Sequence, residues 1–129
     1  MEKIIKNIAL IGASANKSKY GNIILKDLTA KGYNIFPVHP ALDNIDGIKV
    51  YKTPEEIKEE ADLFVFVVSP SVGLGITKRL YEQGHRKFWY QPGAQSNEIS
   101  EFLKKDPTAK FSTISCIMVN TSESGDLLF

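Results

Sequence analysis

Six consecutive apolar residues, Leu63-Phe64-Val65-Phe66-Val67-Val68, constrain this chain more than any other stretch. They show no alternation of apolar and polar positions, are far too short to cross a bilayer, and carry the aromatic and β-branched side chains that suit a strand. A strand covered on both faces belongs to a parallel sheet with helices packed above and below it. A second such run, Ile8-Ala9-Leu10-Ile11, stops at Gly12. Past a polar loop come Tyr20-Gly21-Asn22, and Ile23, Ile24 and Leu28 return the pattern to a helical period. The head of the chain therefore reads as strand, turn and helix. Amides at the start of such a helix lack intrahelical acceptors and sit at the positive end of its dipole, so they attract anions such as phosphate.

The rest of the chain repeats that unit. The first strand covers residues 5–11, and a helix over 22–31 is closed by Gly32, suited to a left-handed cap. The second strand, 33–38, ends at His39-Pro40, because proline donates nothing to a ladder and restrains the residue before it. Residues 41–53 form an irregular link with a turn at Asp46-Gly47 and a short strand or bridge near 49–51. Thr53, Pro54 and Glu56 spell a capping box for a short acidic helix. The third strand follows over 61–68, then a helix capped by Ser71, reaching Gln83 and closed by Gly84. A fourth strand covers 87–90, a helix capped by Ser96 or Asn97 runs to Lys105, and a fifth strand covers 111–115. Five strands alternating with four helices predict an α/β fold. The expectation is a single Rossmann-like doubly wound domain over residues 1–120 with a five-stranded parallel sheet in the order 3-2-1-4-5, then a polar tail over 121–129.

Composition narrows the function classes. The 129 residues suffice for one core but not comfortably for two domains. Sixteen basic against 15 acidic residues leave a net charge of +1, which favours neither nucleic acid nor a membrane surface. The single cysteine, Cys116, allows neither an internal disulfide nor a cysteine metal cluster, and with no secretory h-region at the start it points to the cytoplasm.

In a doubly wound sheet the ligand lies beyond the carboxyl ends of the strands. That selects the segments 12–21, 38–40, 68–71, 90–94 and 115–119. The first is not a GxGxxG fingerprint, because Ser14 and Lys17 stand where the second and third glycines belong. It is not a Walker A loop either, since Asn16 precedes Lys17-Ser18 where glycine is required. What remains is a loop with Ser14, Lys17, Ser18 and Lys19 ahead of a helix start at Tyr20-Gly21, suited to a diphosphate or, on the plainer reading, a solvated polar loop. At the end of the second strand an NAD site places a carboxylate, and this chain has Val38-His39-Pro40. His39 would tolerate a phosphate on the adenosine ribose, which points to NADP or coenzyme A, or is simply an exposed loop residue. No catalytic constellation or metal set stands out. His85 reads as a surface residue at the opposite edge of the sheet, and the carboxylates 55, 56, 59, 60 and 82 read as solvated helix faces.

Taken together, IALIGAS at residues 8–14, KYGN at 19–22, GYNIFPVHP at 32–40, GIKVYKTPEEI at 47–57, VVSP at 67–70, FWYQPGAQSNE at 88–98 and CIMV at 116–119 resemble the small CoA-binding-domain proteins. These are stand-alone relatives of the CoA-binding domain of the succinyl-CoA synthetase α subunit. The resemblance covers residues 7–120 and implies a Rossmann-like fold, coenzyme A as ligand, and nucleotide contacts at Gly12, Ala13, Ser14, Val38, Pro40, Val68, Ser69 and Pro70. It implies ligand binding and no activity. The expectation is a module that binds coenzyme A or an acyl-CoA in a regulatory or carrier role, with no reaction of its own. Two alternatives stand beside it: a small acyl-CoA or NADP-linked enzyme completed by a partner or second subunit, and a domain that no longer binds nucleotide. Cys116 reads as a small core residue beside Ile117 and Met118, or else as a thiol facing the pantetheine end of the ligand.

Overall fold

The structure, a computed structural model, describes residues 4–121. Of the expected polar tail only Thr121 falls within them. The central sheet has the order β2-β1-β5-β6-β7, built from β1 (Asn7–Ile11), β2 (Asn34–Val38), β5 (Leu63–Phe66), β6 (Lys87–Tyr90) and β7 (Lys110–Ser112), every pair parallel. Beyond β2, Tyr51 adds one parallel bridge to Val38. Counting that bridge as the third position in chain order gives 3-2-1-4-5, with β7 following. The long strand read as third from the sequence therefore lies directly beside β1.

All four residues of β5 are buried, and so are the last four of β1. Alternate side chains divide between two cores. Ile8, Leu10, Leu63, Val65 and Trp89 meet Ile24, Leu25 and Leu28 of α1 (Tyr20–Ala30) on one face. Ala9, Ile11, Phe64, Phe66, Phe88 and Tyr90 meet Leu80 of α2 (Pro70–Glu82) and Ile99 and Leu103 of α3 (Asn97–Lys104) on the other. This two-sided burial is why the strands read as unbroken apolar runs, and each large side chain so buried contributes about 1.5–3 kcal/mol. Asp46 and Gly47, both at positive φ, turn the chain between β3 (Asn44–Ile45) and β4 (Ile48–Lys49), an antiparallel hairpin.

Several local expectations are corrected. Helix α2 begins at Pro70, so Ser69 occupies the cap position and Ser71 is already helical; the fixed φ and missing N–H of proline suit the first helical residue. The short acidic helix is a single 3-10 turn, Pro54–Glu56, whose Thr53 hydroxyl caps nothing. The Glu56 carboxylate accepts instead from the Lys52 N–H at 3.1 Å. The last strand ends at Ser112, because side chains of the neighbouring strand and its exit take over the backbone that follows. Trp89 Nε1 donates to the Ser115 carbonyl at 2.9 Å, and the Ile117 N–H donates to Gln91 Oε1 at 2.7 Å. His85 does lie at the amino-terminal edge of the sheet, but it is half-buried, its ring edge-on to Phe64 with centroids 4.6 Å apart. Burial holds its pKa below the ordinary value, against the opposing pull of Glu60 and Glu55.

Asp106 ties three elements together. Its carboxylate accepts from the Thr108 N–H and hydroxyl, from Tyr81 Oη at 2.5 Å and from Arg86 Nε at 3.1 Å. The Thr108 hydroxyl first, then Tyr81, hold its pKa well below the usual carboxylate range. A group depressed in the folded state contributes stability that is complete above its unfolded pKa and is lost as pH falls toward the folded one. The melting temperature of the wild type should therefore exceed that of Asp106→Asn by a constant margin above about pH 5, and the margin should shrink as pH drops below that. A margin unchanged down to pH 2 would show that these bonds do not favour the ionised form.

Candidate functional site

The loop after β1 is fixed by two glycines. Gly12 sits at φ +99°, and a Cβ there would lie 2.3 Å from the Val67 carbonyl oxygen. The Gly12 and Ala13 amides both donate to the Val38 carbonyl, at 3.1 and 3.3 Å, so the turn is pinned to the end of β2. Gly21, in the first turn of α1, packs so closely on the Gly12 peptide that a Cβ would lie 2.3 Å from its oxygen. It does what the third glycine of a dinucleotide loop does, later in the chain than that fingerprint allows. Asn22 is buried and donates from Nδ2 to the Ser14 carbonyl at 2.9 Å.

Between the glycines the loop folds on itself. Ser14 Oγ accepts from the Asn16 N–H, and Asn16 Oδ1 accepts from the N–H and hydroxyl of Ser18. Lys19 holds the cap position of α1 without a side-chain capping bond. The Ser14, Tyr20 and Gly21 amides meet no protein acceptor among the described residues. Helix α2 starts directly after β5 in the same way, so two helix N-termini face the carboxyl edge of the sheet.

A cleft of about 860 Å³ opens there. Of the residues singled out from the sequence, Gly12, Ala13, Ser14, Ser18, Lys19, Tyr20, Gly21, Val38, His39, Pro40, Val68 and Ser69 line it. Lys17, in the exposed loop, and Pro70, the first residue of α2, flank this lining without belonging to it. His39 Nδ1 accepts from the Ala41 N–H at 3.0 Å, so the neutral ring carries its proton on Nε2 and offers a donor.

Sequence reasoning missed a whole wall. Lys52, Thr53 and Pro54 line the cleft from one bank, and Val72, Ile76 and Arg79 from the other. The signals were present: the first three lie inside the family-like stretch at 47–57, and the second three recur at four and three residues, one stripe of a helix. Lys19, Lys52 and Arg79 bring positive charge, and none of the lining residues is a carboxylate. Lys52 Nζ is held by Asp43 at 2.9 Å and by the Leu42 carbonyl at 3.1 Å. Arg79 is paired with Glu55, just outside the cleft. Partial burial pushes the Glu55 carboxyl up, but the hydrogen bonds from Arg79 and Gln83 outweigh it and leave the group below its ordinary pKa.

The segments 90–94 and 115–119 do not reach the cleft. Gln91 is buried and turned inward to Ile117, and its Nε2 donates to Cys116 Sγ at 3.2 Å. The thiol is half-buried in that packing, apart from the cleft lining. The arrangement suits an elongated anion: two helix N-termini with Lys19 at the first, Lys52 and Arg79 on the two banks, and a more apolar trench along α2.

Comparison with known proteins agrees with this geometry. The family described as CoA binding domain matches residues 6–122. A conserved hypothetical protein from Pyrococcus furiosus superposes with a TM-score of 0.85 at 50% identity, over 91% of this chain and all of that one. The uncharacterized protein YneT of Bacillus subtilis is 30% identical over 101 residues, 78% of this chain and 74% of that protein. The ADP-forming acetate–CoA ligase of Methanocaldococcus jannaschii is 41% identical over 63 residues, which span 49% of this chain and only 9% of the ligase. A sheet, a glycine-pinned loop and a family match spanning nearly every described residue converge: the chain belongs to the CoA-binding domain family.

Proposed function

We propose that this protein binds coenzyme A or an acyl-CoA in the cleft at the carboxyl edge of the sheet and acts as a carrier or regulatory module without a reaction of its own. The observation that carries the reading is the charge of the cleft: two helix N-termini and three cationic side chains around about 860 Å³, with no lining carboxylate. The diphosphate lies on Ser14 and the free amides of Tyr20 and Gly21, with Lys19 and, from the loop, Lys17 neutralising it. His39 and Pro40 at the end of β2, and Val68, Ser69 and Pro70 at the start of α2, flank the nucleotide. The likeness to a segment of an acetate–CoA ligase supports a CoA ligand.

Calorimetric titration and thermal shift against coenzyme A, acetyl-CoA, NAD, NADP and ATP test it. At about a hundred times its dissociation constant the right ligand should add about 2.7 kcal/mol to stability. Lys19→Ala should weaken coenzyme A binding severalfold with an unchanged melting temperature of the free protein, since Lys19 is exposed and holds no ion pair among the described residues. Tightest binding of NAD would sink the proposal. Formation of ATP from acetyl-CoA, ADP and phosphate by the purified chain would sink the part that denies it a reaction.

A further inference from the structure

A charged clasp joins the two banks of the cleft. Arg79 Nε and Nη2 donate to the two carboxylate oxygens of Glu55 at 3.1 and 3.3 Å, and Gln83 Nε2 donates to the same carboxylate at 3.0 Å. Glu55 belongs to the 3-10 turn on one bank, and Arg79 to the cleft-facing stripe of α2 on the other. At 1.5 Å per residue, Arg79 stands about 15 Å along α2 from Ser69 at the helix start. It is therefore remote from the donors that suit a diphosphate, with Val72 and Ile76 between.

A guanidinium that accepts a carboxylate through two parallel bonds has the geometry to accept a phosphate or another carboxylate in the same way. The Arg79 and Glu55 side chains are 51% and 32% exposed, and an exposed pair of this kind is held only weakly. From these observations we infer that Glu55 is an internal stand-in for a ligand anion. Arg79 is the receptor for an oxyanion remote from the diphosphate, and that oxyanion takes the place of the Glu55 carboxylate when the ligand enters. The cleft then selects nucleotide ligands carrying a second anionic group, either a phosphate on the ribose or a carboxylate on the acyl chain. This assignment rests on the coenzyme A reading above and refines it, moving charge recognition from the end of β2 to the third turn of α2.

The two partners should have opposite effects, which a purely structural clasp would not give. Titrations at one salt concentration would compare coenzyme A with 3′-dephospho-coenzyme A, and succinyl-CoA with acetyl-CoA, for the wild type, Arg79→Ala and Glu55→Gln. In the wild type the ligand with the additional anion should bind about tenfold tighter in one of the two pairs. Arg79→Ala should bring that ratio to within about twofold, and Glu55→Gln should tighten the anionic ligand by about two- to fivefold, the range an exposed ion pair allows. The pair whose ratio collapses tells ribose phosphate from acyl carboxylate. If the wild type binds coenzyme A but neither ratio responds to Arg79→Ala, or if Glu55→Gln weakens binding as much as Arg79→Ala does, Arg79 is not the receptor. If the wild type binds no coenzyme A at all, the function proposed above fails and this assignment with it. Melting temperatures of the three ligand-free proteins should agree, which separates lost recognition from lost structure.

Discussion

Gly12→Ala should destabilise the protein by about 3–5 kcal/mol and abolish ligand binding in whatever fraction still folds. Two independent costs meet at this position. A left-handed φ of +99° is unfavourable for any residue with a Cβ, and that Cβ would fall 2.3 Å from the Val67 carbonyl oxygen, a backbone atom in the exit of β5. Relief would require β1 and β5 to part at the carboxyl edge, where both pair in register as far as Ile11 and Phe66. Urea unfolding followed by circular dichroism measures the loss. A change under about 1 kcal/mol would mean that the turn relaxes without moving the strands, and the account of why the loop begins with glycine would be wrong. Gly21→Ala strains the same turn through a different contact, its Cβ falling 2.3 Å from the Gly12 oxygen. The two substitutions should therefore cost less together than the sum of their separate effects.

The second large effect is expected away from the cleft. Trp89 is 1% exposed in the middle of β6, and its Nε1 donates to the Ser115 carbonyl. Trp89→Ala should cost about 3–5 kcal/mol through the cavity left between α1 and the sheet. Trp89→Phe, which keeps most of the apolar area and forfeits the hydrogen bond, should cost about 1–3 kcal/mol. Denaturant titrations of both variants separate the terms. Equal losses would show that the indole hydrogen bond, rather than the packing, holds residues 113–117 against the domain. Coenzyme A affinity should be untouched in Trp89→Phe, because those residues stand apart from the cleft.

How far the sequence could be read depended on whether the deciding contact was local. The unbroken run at 63–68 and its partner at 8–11 revealed a sheet buried on both faces, because burial leaves its mark on every residue of a short strand. Gly32 and Gly84 marked helix ends for the same reason: both take the positive φ that closes each helix locally. The loop between Gly12 and Gly21 stood out in the sequence by its composition, and most of the residues singled out there converge on one cleft. What stayed hidden needed a partner far along the chain. Nothing near Ser112 announces that Trp89 and Gln91 will capture the following backbone, so the last strand read as longer than it is. Nothing beside Arg79 in the chain sets it apart from other helix residues, because its place on the cleft depends on the bank formed by Lys52, Thr53 and Pro54. Ser71 reads as a cap because serine commonly is one, whereas the rigid ring of Pro70 sets the helix start two positions earlier, with Ser69 at the cap.

The way the first loop is closed has a consequence for how such a domain can change its ligand. Its two ends, Gly12 and Gly21, rest against each other, while Ser14, Asn16 and Ser18 satisfy one another within the loop. The scaffold thus holds the ends together whatever lies between them, and doubling the length of a flexible loop costs only about 0.6 kcal/mol in closure entropy. Residues 14–19 should then be replaceable as a cassette: transplanted or lengthened, they would alter which ligand the proposed site prefers while strands and helices remain as they are. Selectivity can then drift quickly in evolution, or be redesigned at the bench, with little debt to the stability of the sheet.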